Sequence, residues 1–289
     1  MVMKFSLILP AALQEAPFAE VAAWASSAGF HAVDAEVWFD AAAASVLQAH
    51  GLLLGPMRIR ASLADSDLAT RRQAIESALQ TIDAAVALGL DLLWTLPRNF
   101  RNDASPQQNY DAVCASLPEV VLHAERKGVR IAIENCPYNG QNVICTPETW
   151  DALFAAIRSD ALGICLDPSH CIWQRIDYVR VIREYAPRIY HVQAKDTEIL
   201  SEGLYRYGVE GRVVETGSKR GDSSGWWRHR LPGLGEVDWA SFVAALARSG
   251  YDGLLSLEHE DPEWSGSRER VESGFAQGRA HVAQFVTAA

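Results

Sequence analysis

One unit repeats along this chain: an amphipathic helix, a glycine, a short apolar run and a polar loop. Phe18, Val21, Ala22, Ala25 and Ala28 recur at helical spacing and stop at Gly29, after which Ala32 to Val37 reads as a strand. The order returns in helix Ala41 to His50 with run Leu52 to Met57. It returns again in the face Ile75, Leu79, Ile82 and Val86 with run Leu92 to Leu96. Val113, Leu117, Val120, Val121 and Ala124 form the next face, closed by Gly128 before Ile131 to Asn135. Thr146 and Pro147 are a good start for a helix over Trp150 to Ile157, and Asp238 can cap the helix carrying Trp239, Phe242, Val243 and Leu246. With Lys4 to Leu9 as the first strand, and Leu162 to Asp167, Arg188 to Asp196 and Gly253 to Glu260 added, eight strands alternate with helices. A crossover helix returns the chain in the same direction, so the sheet is parallel. Eight units close into a single (β/α)8 TIM barrel over residues 1–289; a doubly wound open sheet is the alternative.

Several later runs end in polar residues. Ile131 to Ile133 leads to Glu134, Leu162 to Leu166 leads to Asp167 and then His170, and Leu254 to Leu257 leads to Glu258. His191, Gln193 and Lys195 share one face of their strand, because strand side chains alternate. In a closed parallel barrel all these strand ends open on one mouth, which is where such barrels do chemistry. Polar side chains buried there are costly unless satisfied, and a divalent cation bound by several oxygens would satisfy them.

Length and composition frame this site. The chain of 289 residues shows no linker, and a hydrophobic content of 49% is ample for a large core. A formal net charge of −10 disfavours a nucleic-acid partner and suits an enzyme of small molecules. No apolar run approaches the roughly 20 residues of a membrane span, and Met1 to Pro10 lacks a full signal-peptide core, so a cytoplasmic location is expected. Cys114, Cys136, Cys145, Cys165 and Cys171 have no paired metal spacing and are expected to be reduced and mostly structural.

One stretch breaks the rhythm. Between Asp196 and Gly235 no helix is evident, yet Tyr205, Tyr207, Arg212, Lys219, Arg220, Trp226, Trp227, Arg228, His229 and Arg230 crowd there. As a long loop after the seventh strand it would lie over the mouth, as a lid or substrate-facing segment with Arg228 toward substrate. The competing reading is a surface excursion whose tryptophans pin it to the barrel or to a second copy in a homodimer.

These segments resemble the xylose-isomerase-like barrel superfamily of sugar isomerases and epimerases, which also includes the endonuclease IV type of DNA-repair enzyme. The resemblance covers nearly the whole chain. It rests on Ile133-Glu134-Asn135, Leu166-Asp167-Pro168-Ser169-His170, His191 to Thr197, Pro232 to Trp239 and Ser256 to Asp261. It implies one divalent metal held by Glu134, Asp167, Gln193 and Glu258. The departure is at Gln193, where the family usually has histidine; a histidine stands two residues earlier, at His191. Residues two apart on a strand are separated by roughly 6 to 7 Å, so only one is a direct ligand. Gln193 is nearer the mouth and is favoured, with His191 the alternative. Three carboxylates and an amide suit Mn²⁺ or Mg²⁺ better than Zn²⁺.

The resemblance implies a sugar isomerase or epimerase acting on a ketose or related polyol, with the cation stabilising an enediolate and Glu134 and Glu258 as base and acid. An inosose-type dehydratase on the same carboxylates is the alternative. An endonuclease IV-like activity is a third reading, weakened by the few histidines near strand ends and by the acidic charge. His170 is placed to bind a substrate oxygen or to pack behind the metal. Lys195 either meets substrate or pairs with Glu260 or Asp196. Trp38, Trp94 and Trp173 follow strands and either stack on a sugar ring or close the core. Arg98 and Arg101 follow the fourth strand and can hold a phosphate, or simply belong to the surface.

Overall fold

The computed structural model describes residues 3–212 and 225–286. Ten strands occur among them: β1 (Lys4–Leu7), β2 (Ala32–Ala35), β3 (Leu53–Ile59), β4 (Leu92–Thr95), β5 (Arg130–Glu134), β6 (Leu162–Leu166), β7 (Ile189–Ala194), β8 (Asp196–Ile199), β9 (Trp227–Arg230) and β10 (Leu254–Leu257). Eight of them close into a parallel barrel in the order β1-β10-β7-β6-β5-β4-β3-β2. The expected TIM barrel is therefore the fold, and the open sheet is excluded by the β1 to β2 and β1 to β10 pairings.

The local signals act as their chemistry requires. Thr146 accepts from Thr149 N ahead of Pro147, and Asp238 accepts from Ser241 N, so both helices begin with a satisfied donor. Gly128 and Gly250 end theirs at φ +71° and +83°, a region that costs a side chain strain.

Strand alternation separates two environments. Leu93, Ile131, Ile133, Leu162, Ile164, Leu166, Leu255 and Leu257 join the large core between sheet and helices. Their neighbours Trp94, Ala132 and Cys165 belong to a small apolar cluster of their own, on the other face of the strands and thus inside the barrel. That inner face also carries Glu134, Asp167, Gln193, Lys195 and Glu258, so the outward face supplies stability and the inward face is left for polar groups.

Two sequence expectations change. The third run does not stop at Met57: β3 continues through Gly55-Pro56 to Ile59, with a register shift against β2 between Asp34 and Ala35 that accommodates the proline. The stretch after β7 is not one structureless loop. β8 and β9 pair antiparallel from Asp196↔Arg230 to Ile199↔Trp227, and a short helix, Ser201–Tyr207, follows β8. Local periodicity cannot show a pairing between residues this far apart. Trp226 and Trp227 are buried within the chain, at 2% and 7% exposure, so they are not the sticky surface that suggested a homodimer. Lys219 and Arg220 lie outside the described residues. No helix among the described residues is long and apolar enough to cross a membrane.

Candidate metal centre and substrate cavity

Glu134 is the last residue of β5, Asp167 follows β6 and Glu258 follows β10. Each offers a carboxylate oxygen within 4.8 Å of the others. Three such oxygens fit around one ion, since a ligand shell of radius about 2.0 to 2.6 Å is roughly 4 to 5 Å across.

Asp167 shows how its strand end builds the site. Its Oδ1 caps the helix Pro168–Gln174 by accepting from Ser169 N at 2.9 Å, while Oδ2 has no hydrogen-bond partner among the described residues. Asn135 fixes the backbone of Asp167 from the next strand. Its Nδ2 donates to the Asp167 carbonyl at 3.0 Å, and its Oδ1 accepts from Asp167 N at 2.8 Å. One carboxylate oxygen thus shapes the chain and the other faces the cluster.

The inward side chains of β7, and that of Lys195, which follows it, lie in layers. Lys195 Nζ donates to Glu258 Oε2 at 2.6 Å and to Glu260 Oε2 at 2.8 Å, so it pairs with Glu260 and not with Asp196. Asp196 instead accepts from Thr197 N, Gly233 N, Val237 N and Trp239 Nε1, which ties down the Pro232 to Trp239 segment. Gln193 is fully buried, and neither polar atom of its amide has a partner among the described residues. A buried amide left in that state is costly, and a ligand to its oxygen would remove part of the cost. His191 sits deeper. Its Nε2 is 3.6 Å from Asp34 Oδ2, and it walls a second cavity at the N-terminal end of the strands with Gly55 and Tyr251. It is not among the ligand atoms gathered with Glu134, Asp167 and Glu258.

A cavity of about 360 Å³ opens over this cluster, walled by Glu134, His170, Lys195, Glu258 and Glu260 together with aromatic residues. Trp173 and Trp227 stack with ring centroids 4.7 Å apart on its wall. His170 Nε2 lies 3.3 Å from Glu134 Oε1 and 3.4 Å from Asp167 Oδ2. Burial lowers His170 to about 4, with the Lys195 charge adding to it, so its imidazole is neutral near pH 7. Burial raises Glu134 and Asp167 against the pull of Lys195, and raises Glu258 to about 7. Glu260 goes the other way, held far down chiefly by the Lys195 ammonium.

The other sequence candidates fall elsewhere. Trp38 is half exposed and packs edge-on against Phe18 and Phe39, away from the cavity wall. Arg228 is bound by Glu198 at 2.7 Å and Glu263 at 2.8 Å, and it borders a neighbouring groove. Trp94 is buried inside the barrel, and Arg101 is held by Asp65 at 3.1 Å. Arg58, Tyr138 and Asn139 line the cavity without having been singled out in the sequence. Recognising that β3 continues past Pro56 would have pointed to Arg58.

Residues 15–283 match the sequence profile of the xylose isomerase-like TIM barrel family. The chain belongs to that family. Within and around it, 33% identity over 175 residues links this chain to the uncharacterized protein YfiH of Bacillus subtilis, covering 57% of this chain and 53% of that one. The 3-dehydroshikimate dehydratase of Pseudomonas putida is 31% identical over 138 residues, 47% of this chain but 18% of the dehydratase. The match thus spans about half of one relative and less than a fifth of the other. Among solved structures, D-psicose 3-epimerase from Clostridium cellulolyticum H10, with D-tagatose, superposes with a TM-score of 0.74 at 14% identity, covering 99% of this chain and all of that one. The IOLI protein with a bound zinc atom gives 0.74 at 16% identity, with the same coverage. At that identity the likeness is one of fold.

Proposed function

We propose that the chain is a divalent-metal-dependent sugar isomerase or epimerase that acts on a ketose or related polyol. The observation that carries this reading is the convergence of Glu134, Asp167 and Glu258 from three strand ends on one point, with Glu134 and Glu258 lining the cavity. Three carboxylates, those of Asp167, Glu258 and Glu260, contact the Lys195 ammonium, Glu134 stands beside two of them, and the excess of acidic groups over this one ammonium favours a cation. Glu134, Asp167, Glu258 and the orphaned Gln193 amide would hold it, an oxygen set that suits Mn²⁺ or Mg²⁺. When bound, such an ion supplies Lewis acidity to a carbonyl and its neighbouring hydroxyl.

The side chains do the rest. Burial brings Glu258 to about 7, so it can hold or release a proton near neutrality, and burial raises Glu134 in the same direction. One takes the proton from the carbon beside the carbonyl, and the other returns one. Return to the opposite face of that carbon inverts it, and return to the former carbonyl carbon, with the hydroxyl proton passing to the former carbonyl oxygen, moves the carbonyl. Neutral His170 donates to a substrate oxygen, and the Trp173 and Trp227 pair walls the site against water. A dehydratase outcome on the same carboxylates is the second reading, supported by two relatives: the Pseudomonas putida protein is named 3-dehydroshikimate dehydratase, and a Lactiplantibacillus plantarum protein, 23% identical, is named inosose dehydratase. A cytoplasmic location is part of the proposal and is supported by five free thiols.

Incubation with Mn²⁺ and a panel of keto-sugars and inososes in D₂O tests it. Deuterium entering the carbon beside the carbonyl, with an isomeric product, is expected. An unsaturated product would assign the dehydratase, and no exchange on any member of the panel would remove both.

A further inference from the structure

Most arginines near the mouth are spoken for. Arg60 is bound by Glu36 at 3.2 Å, Arg101 by Asp65 at 3.1 Å, and Arg71 Nη1 donates to the Asp65 carbonyl. Arg58 and Arg98 are different. In a chain with 36 acidic and 26 basic side chains, neither guanidinium has an ion pair or hydrogen bond among the described residues. Arg98 Nη1 is buried without a partner.

Both are nevertheless held in place. Arg58 lies over the Trp94 ring at 4.5 Å, and Arg98 is sandwiched between Phe100 at 4.3 Å and Tyr138 at 3.8 Å. Stacking fixes a guanidinium plane while leaving its N–H edge free for a planar or tetrahedral anion. Tyr138 and the following Asn139 adopt left-handed backbone at φ +47° and +55°, a strained pair of non-glycine residues that face the cavity. Arg58 walls the main cavity and also a recess of about 80 Å³ that it shares with Arg98. In the closed strand order β3 stands across the barrel from β7, so the two cations oppose the side of the mouth that carries Lys195 and Glu260.

We infer that the substrate carries an oxyanion, a carboxylate or a phosphate monoester, and that Arg58 and Arg98 bind it on the β3 and β4 side of the mouth. This rests on the cavity being the substrate site of the proposed enzyme. A hydroxy-ketone seated with its reacting carbons near Glu134 and Glu258 would extend its anionic end to the recess. The two guanidinium edges then gain the partners they lack, and neutral sugars leave them unsatisfied.

The test is calorimetric titration of the Mn²⁺-loaded protein at fixed ionic strength with two matched pairs: quinate against myo-inositol, and D-fructose 6-phosphate against D-fructose. In at least one pair the anion is expected to bind about ten-fold tighter or more, and the pair that shows it tells carboxylate from phosphate. Arg58→Gln and Arg98→Gln each abolish that preference with Mn²⁺ content and melting temperature unchanged. Arg58→Lys, which keeps the charge without the fork, retains part of it. Equal binding within both pairs, or variants that weaken neutral and anionic members alike, would overturn the inference. Deuterium exchange into neutral ketoses without any anion preference would refute this subsite and leave the enzyme. An Arg58-dependent preference in a protein that neither binds Mn²⁺ nor exchanges deuterium would do the reverse.

Discussion

Lys195 Nζ lies 2.6 Å from Glu258 Oε2, and this buried ammonium also touches Glu260 at 2.8 Å and Asp167 at 3.4 Å. Its charge is what allows so many carboxylates to share one end of the barrel. Lys195→Met removes it and leaves them to repel one another, a loss of about 3 to 5 kcal/mol for a broken buried pair. The melting temperature in EDTA is expected to fall by roughly 10 °C, and Mn²⁺ should restore much of the fall. Differential scanning calorimetry with and without metal measures both.

The same carboxylates give the metal-free fold a pH dependence. Burial, opposed by Lys195, holds Glu258 up to about 7 from an ordinary 4.5, and Glu134 and Asp167 are raised as well. A carboxyl that binds its proton more tightly folded than unfolded stabilises the fold fully below its ordinary value, and that stabilisation is lost as pH rises through about 7. Neutral His170, held down to about 4, acts in the opposite sense between about pH 4 and 6.5, so the carboxyl's share is read against Glu258→Gln: the melting temperature of the EDTA-treated protein relative to that variant should fall from about pH 4.5 to 7. The increment in melting temperature produced by Mn²⁺ should grow over the same window, because the ion binds the deprotonated forms. An increment that shrinks with rising pH would contradict this.

Much of the architecture is legible in the chain because its signals are local. Glycines at Gly128 and Gly250, caps at Thr146 and Asp238, and apolar runs such as Leu162 to Leu166 each act within one element. Glu134, Asp167 and Glu258 could be placed because strand ends in a parallel barrel share a mouth. Arg58 was hidden because Gly55-Pro56 ends a run by every local rule, and only pairing with β2 and β4 carries β3 past it. The partners of Lys195 and Asp196 were also undecidable from sequence. Both are polar residues at the same strand end, and the choice depends on where Glu260 and the 233 to 239 backbone arrive.

In the proposed ligand set, Gln193 is the residue that sets the metal preference. Its replacement by histidine puts an imidazole where the orphaned amide now stands, and nitrogen ligands favour zinc over manganese. Gln193→His is expected to bind Zn²⁺ at least about ten-fold tighter while Mn²⁺ affinity changes less. Competition titration against a chromophoric chelator reads both. Equal affinities in the two proteins would place residue 193 outside the coordination sphere.

Asn135 hydrogen-bonds to no candidate ligand carboxylate among the described residues, yet it grips the Asp167 backbone through both its carbonyl and its N–H. Asn135→Ala should leave the melting temperature in EDTA lowered only modestly and weaken Mn²⁺ binding about 10- to 100-fold, the usual effect of removing a support behind a ligand. Loss of stability without loss of metal affinity would make Asn135 a packing residue alone.

Metal content is the most direct measurement: purified protein, and its Glu134→Gln and Glu258→Gln variants, are equilibrated with Mn²⁺, dialysed and analysed by inductively coupled plasma mass spectrometry. About one Mn²⁺ per chain is expected in the unaltered protein, and less than about a tenth of that in either variant, with circular dichroism unchanged. Equal metal in all three proteins would contradict a shared ion between these strand ends.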